Sequence, residues 1–302
     1  MKIHQELISL QDATQAVRDV ERDGIRGMIA NPLGGIFDLF GSPTTELPIP
    51  LDLSQDAYIE HWREGAHSHS LVFIHGFASE GSAHEWREPL NRFAQQYDCS
   101  TYAVRWPSFS QAELAMIVGT AVAAAGLGGI GLGLAAKSIQ AAFQRAMSNA
   151  DDLASKLNEL LVHVDGPVIL VGHSLGARCA LRYYCSSSLD PAQVTGVIGL
   201  APAIGQSELK NTRPRSPLVA YSSHDHVLRY AYPIGNRELF ASSGQDEEDA
   251  LGLIGPSGAE KMLGIDLSDL EIGHLDYCER LEEVLSRFNI QQYLSHSGLG
   301  SK

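Results

Sequence analysis

The sequence predicts an α/β protein built on a mostly parallel central sheet with helices on both faces. Three observations carry this expectation. Continuous apolar runs such as SLVFIHG (70–76), PVILVG (167–172) and VTGVIGLAPA (194–203) read as strands buried on both faces. Stretches with helical spacing separate them, and regular alternation of strands and helices gives a parallel sheet. In such sheets ligands bind beyond the carboxyl ends of the strands. One strand ends there in GHSLG (172–176), a serine between two glycines just before a helix.

Residues 1–66 are expected to form an N-terminal extension packed on the core. Within it SLQDATQAVRDVERDG (9–24) suits a short polar helix, and 31–50 is a loop punctuated by Gly and Pro. LPIPLDL (47–53) fits an edge strand, because proline cannot donate to a central ladder. A catalytic domain is expected over 67–302. There SLVFIHG is a strand, AHEWREPLNRFAQQY (83–97) a helix and STYAVRW (100–106) a second strand. An insertion follows over 107–148. NADDLASKLNELLVHV (149–164) is amphipathic, with acidic residues in its first turn. Strand PVILVG, helix ARCALRYYCSS (177–187), and strands VTGVIGLAPA, PLVAYSS (217–223) and KMLGIDL (261–267) come next, then helix DYCERLEEVLSRF (276–288). SGQDEEDALG (243–252) reads as a solvated acidic loop.

Composition narrows the function classes. The chain has 302 residues, 44% of them hydrophobic and 19% charged, enough for a sizeable core. A net charge of -14 disfavours nucleic acid, whose phosphates need a basic surface. Cys99, Cys179, Cys185 and Cys278 form no C-x-x-C pair and read as reduced thiols. The N-terminus shows no apolar leader, so a cytoplasmic location is expected.

GHSLG fits the nucleophile elbow, in which a strained serine holds Oγ clear at a strand-to-helix turn. Side chains at Gly172 or Gly176 would strike the neighbouring helix and strand. A hydroxyl attacks only when a base takes its proton. In chain order an acid and then a histidine should follow the elbow. Asp225 ends strand PLVAYSS in HDH, and His274 lies in EIGHLDY before the last helix. His274 is thus the expected base, and Asp225 the group that fixes its tautomer. Asp276 competes with Asp225, but DYCE fits a capping box. Asp266 lies within a strand. The oxyanion of an acyl transfer needs backbone donors, and the amides of Phe77 and Leu175 are the candidates. His75 is expected to brace that loop, with Gly76 allowing close approach. His173 completes the elbow's supporting residues.

On these residues the segment 70–290 resembles an α/β-hydrolase. The HGF loop, the GHSLG elbow, Asp225 and His274 stand in that superfamily's order. AHEWREPLNRF, YAVRWPS, GHSLGARCALRYYC, YSSHDHVLRY and IGHLDY together resemble the family of transmembrane and coiled-coil domain hydrolase-like proteins. The resemblance implies an α/β-hydrolase fold with a Gly/Ala-rich helical insertion. It also implies a serine hydrolase of carboxylic esters that uses no cofactor. Phe after His-Gly resembles lipases and esterases, implying lipid-like or medium to long acyl chains. A thioesterase or acyltransferase with the same triad is an alternative, as is a non-catalytic interaction protein on a hydrolase scaffold.

The pairs His67/His69 and His224/His226 lack a recognisable third ligand, so no metal is expected. GLGGIGLG (126–133) lacks the preceding strand of a nucleotide cradle. The stretch 114–136 carries no charge over 23 residues, but six are glycine and it lies inside the catalytic domain. A helical hairpin bent at Gly128-Gly129 is expected, with peripheral membrane contact as a lid the second reading and a membrane anchor the third.

Overall fold

A computed structural model describes residues 57–66, 69–77, 79, 83–108, 129–186, 193–209, 216–236, 248–257 and 262–288. Among the described residues seven strands form one sheet: β1 (Tyr58–Arg63), β2 (Ser70–Ile74), β3 (Ser100–Arg105), β4 (Val168–His173), β5 (Val194–Leu200), β6 (Leu218–Tyr221) and β7 (Leu263–Asp266). Their spatial order is β1-β3-β2-β4-β5-β6-β7. Only the β1–β3 pairing is antiparallel; the other ladders are parallel. Strands β2, β4 and β5 are buried along their whole length, as their unbroken apolar sequences require.

The helices are α1 (Arg87–Gln96), α2 (Gly129–Leu161), α3 (Leu175–Cys185), α4 (His226–Asn236), α5 (Leu251–Ile254), α6 (Asp276–Glu279) and α7 (Leu281–Ser286). Ion pairs show how they group. Arg92 on α1 meets Glu282 on α7 at 3.1 Å, and Arg178 on α3 meets Asp151 on α2 at 2.8 Å. The connection after β2 runs to one side and the connection after β4 to the other, so α1 and α3 cover opposite faces. The carboxyl ends of β2 and β4 flank the point where the strand order reverses, which is where open sheets hold ligands.

Three elements differ from the sequence expectation. The antiparallel edge is Tyr58–Arg63, inside the segment read as extension; LPIPLDL lies outside the described residues. The helix expected at 149–164 begins at Gly129 and runs unbroken for 33 residues. Gly129 is also where the predicted bend falls, but residues 109–128, the hairpin's other arm, lie outside the described residues. Ala146, Ala150, Leu153, Leu157 and Leu161 form the buried stripe of α2. Each leucine contributes roughly 1.5–3 kcal/mol by burial. The last predicted helix is two, divided at Arg280, whose backbone leaves the helical region at φ −101°, ψ 20°. Of the acidic stretch 243–252, residues 243–247 lie outside the described residues, and the rest is not simply solvated. Glu248 accepts from the Ser207 amide, and Ala250 and Leu251 are buried.

Candidate active site

Ser174 follows β4 and precedes α3 with φ 55° and ψ −119°, a backbone that a residue with a side chain rarely adopts. Its surroundings enforce that strain. The Ser174 amide donates to Leu200 O at 3.0 Å, and its carbonyl accepts from Ala203 N and Arg178 N at 3.2 and 3.1 Å. Both expected glycine contacts are present. A Cβ on Gly172 would stand 2.5 Å from Ala177 Cα, and one on Gly176 2.0 Å from Ile74 O. The first would strike α3 and the second β2. The Ser174 side chain makes no capping bond to α3, so Oγ is not spent on the helix. As the first residue of α3, Leu175 has an amide without an intrahelical acceptor.

His274 and Asp225 meet 2.7 Å apart, Nδ1 to Oδ2, with the carboxylate fully buried. Asp225 does two jobs at once. Its Oδ1 accepts the Leu228 amide at 2.8 Å and its carbonyl the Arg229 amide, which makes it the N-cap of α4. The cap fixes the carboxylate so that the second oxygen faces His274. Because Nδ1 is the donor to that carboxylate, the imidazole presents Nε2 as its basic nitrogen. Asp276 does not compete. Its Oδ2 accepts the Gly273 amide at 2.7 Å, inside the first turn of α6 rather than as its cap, which corrects the capping-box reading. Asp266 is engaged with the Ser268 amide at 2.9 Å.

Two further histidines are buried here, and both are held neutral. His75 has its pKa lowered to about 3, by burial first and by the Arg105 charge second. Its Nδ1 lies 3.1 Å from Ser108 Oγ, its ring stacks on Trp106, and Trp106 Nε1 donates to its carbonyl at 3.1 Å. This bracing of the loop after β2 is the expected one. His173 is driven well below the usual histidine range by burial and then by neighbouring His274. Its Nε2 donates to the His274 carbonyl at 3.0 Å, which leaves Nδ1 bare. Gly76 lies against the elbow, since a Cβ there would come within 2.8 Å of Ser174 Cβ.

Ser174, His274, His173 and Phe77 line one pocket with Ser79, Phe143, Ala203, Val227, Leu228, Tyr232 and Leu275. Leu175 is buried behind the serine, at the start of α3. The sequence reading missed the pocket walls. Val227, Leu228 and Leu275 stand within three residues of Asp225 or His274 and were reachable by that adjacency. Phe143, from mid-helix, gave no signal. Among the described residues no three His, Cys, Asp or Glu side chains converge as for a metal. His224 and His226 are exposed, in a turn and at the start of α4 rather than on a strand; His67 lies outside the described residues.

A profile of the alpha/beta hydrolase family matches residues 71–264, a span that holds Ser174 and Asp225 and stops short of His274. An uncharacterized membrane protein of Caenorhabditis elegans is 25% identical over 158 residues, 48% of this chain and 24% of that protein. The chain thus spans about a quarter of that relative's length. Among the described residues no helix is long and apolar enough to cross a membrane. Among solved structures, a predicted CIB-like hydrolase from Thermoplasma acidophilum is 16% identical, with a TM-score of 0.43 over 80% of this chain and 92% of that one. An esterase from Pyrococcus furiosus is 11% identical, with a TM-score of 0.43 over 81% and 94%. With most of its length matched to the profile, this chain belongs to the alpha/beta hydrolase family.

Proposed function

We propose that the protein is a serine hydrolase of carboxylic esters that works through an acyl-enzyme on Ser174. The observation that carries this reading is the convergence on one pocket of a strained elbow serine and a histidine bonded to a buried carboxylate. In the first half-reaction Ser174 Oγ attacks the ester carbonyl carbon while His274 Nε2 takes the hydroxyl proton. Asp225 holds Nδ1 and stabilises the imidazolium. The carbonyl oxygen, now negative, is met by the amides of Phe77 and Leu175, the second at the positive end of α3. The tetrahedral intermediate collapses, the C–O bond to the alcohol breaks, and His274 delivers its proton to the departing oxygen. Water then repeats the sequence on the acyl-enzyme and frees the acid and Ser174. Burial of Phe77, Val227 and Leu228 around the site favours an apolar acyl group.

Turnover of p-nitrophenyl esters tests the assignment. Ser174→Ala and His274→Ala should each lower kcat by on the order of 10³-fold or more, because the groups act as a unit. Wild-type turnover in either variant contradicts it.

A further inference from the structure

We infer that Phe143 limits the acyl group, closing the acyl side of the pocket so that the site takes short-chain esters, from acetyl to about butyryl. The inference rests on the serine-hydrolase reading and replaces the medium or long chains expected from sequence with shorter ones. Three observations support it.

The first is size. The cavity beside Ser174 has a volume of about 30 Å³. On the measure by which ~10–15 Å³ holds one water, that is room for a few heavy atoms. The second is what closes it. The Phe143 ring meets the Phe77 ring edge-on, with centroids 5.4 Å apart and planes at 69°. Both rings are buried, at 7% and 8% exposure, so the pair is a wall rather than a surface decoration. Phe143 stands on α2, whose buried stripe fixes it against the core, while Phe77 belongs to the loop after β2. The wall therefore joins two separate elements.

The third is direction. The base that activates Ser174 later protonates the departing alcohol, so the leaving group lies on the His274 side. There Leu275 is 43% exposed, which leaves an exit to solvent. With its oxygen at the Phe77 amide, the acyl group would extend on the Phe77 side of the pocket, which Phe143 also lines. Each methylene that an apolar pocket cannot accept is worth about 10-fold or more in specificity.

The test measures kcat/KM for p-nitrophenyl acetate, butyrate and octanoate with wild type, Phe143→Ala and Phe143→Leu. Each ratio is taken on one preparation, so it does not depend on the fraction folded. Wild type should prefer butyrate to octanoate by about 10-fold or more. Phe143→Ala should raise the octanoate-to-acetate ratio by about 10-fold, with Phe143→Leu in between. Wild-type preference for octanoate overturns the inference, whatever the variants do. So does a Phe143→Ala variant whose rates fall by the same factor on every ester, since that is the mark of a wall that only supports the Phe77 amide. A fluorophosphonate probe run alongside separates the two levels. Labelled enzyme with an unchanged chain-length profile defeats the role of Phe143 alone; folded wild type that takes no label defeats the serine-hydrolase reading with it.

Discussion

His173, the residue before the elbow serine, is suited to a positive charge but is placed so as not to carry one. Its ring lies 4.8 Å from that of His274, and a charge there would oppose the imidazolium that His274 becomes. Burial removes that conflict by keeping His173 neutral, and its Nε2 proton then ties down the His274 carbonyl. His173→Phe, which cannot make that bond, should lower kcat about 3–10-fold with KM within about 2-fold, as expected for one lost hydrogen bond. A change confined to KM would assign His173 to substrate binding instead. The two aspartates should separate sharply. Asp225→Asn should cut kcat by on the order of 10³–10⁴-fold through the wrong tautomer. Asp276→Asn should leave turnover near wild type and cost ~1 kcal/mol, since its carboxylate holds only the Gly273 amide. Steady-state assays of the pair check this, and the reverse ranking would exchange their roles. At this scale the elbow, acid and base were legible because their chemistry fixes residue type and order. Phe143 was not, because its place against Phe77 comes from the packing of a long helix and has no local pattern.

Arg178 ties the elements that carry the site together. Its guanidinium is 3% exposed and bonds both oxygens of Asp151 on α2 and both of Glu208, while Arg182 reaches the same two carboxylates. The elbow helix is thereby pinned to the helix bearing Phe143. Arg178→Ala leaves two partly buried carboxylates with one cation between them, and it should cost about 3–5 kcal/mol of unfolding free energy. Urea denaturation measures that; a loss below ~1 kcal/mol would make the network incidental. Gly176→Ala should be worse for activity than for folding. Its Cβ would force α3 away from Ile74 O and so shift the Leu175 amide. Interior strands were legible because burial on both faces leaves unbroken apolar runs. The edge was not, since YIEHWR mixes charged and aromatic residues on a half-exposed strand. The split at Arg280 was hidden too, because the residues on either side all suit a helix. Arg280 bonds instead to Leu270 O and to Glu283, at 2.8 Å each.

Across the whole molecule, two buried neutral histidines couple folding to pH. Once unfolded, His75 and His173 would protonate near ~6.5, while the folded chain keeps them neutral, His75 until about pH 3. Below ~6.5 the unfolded state therefore binds more protons, and stability falls as the pH falls. Each histidine contributes ~1.4 kcal/mol per pH unit to that slope. Urea titrations between pH 7 and 5 should show His75→Gln with a slope shallower by ~1 kcal/mol per pH unit on average, since the full value is reached only well below ~6.5; an unchanged slope would mean that His75 does not stay neutral. The α/β class was legible from residue 70 onward, from strand–helix alternation alone. The pocket's size was not, because it depends on how α2 crosses the loop after β2. The central claim, that Ser174 is an activated nucleophile, is tested most directly by treating the full chain with a fluorophosphonate probe and locating the adduct by peptide mass spectrometry. The account predicts one phosphonylated residue, Ser174, and no labelling of Ser174→Ala. A folded wild type that stays unlabelled, or a label that persists in Ser174→Ala, would contradict it.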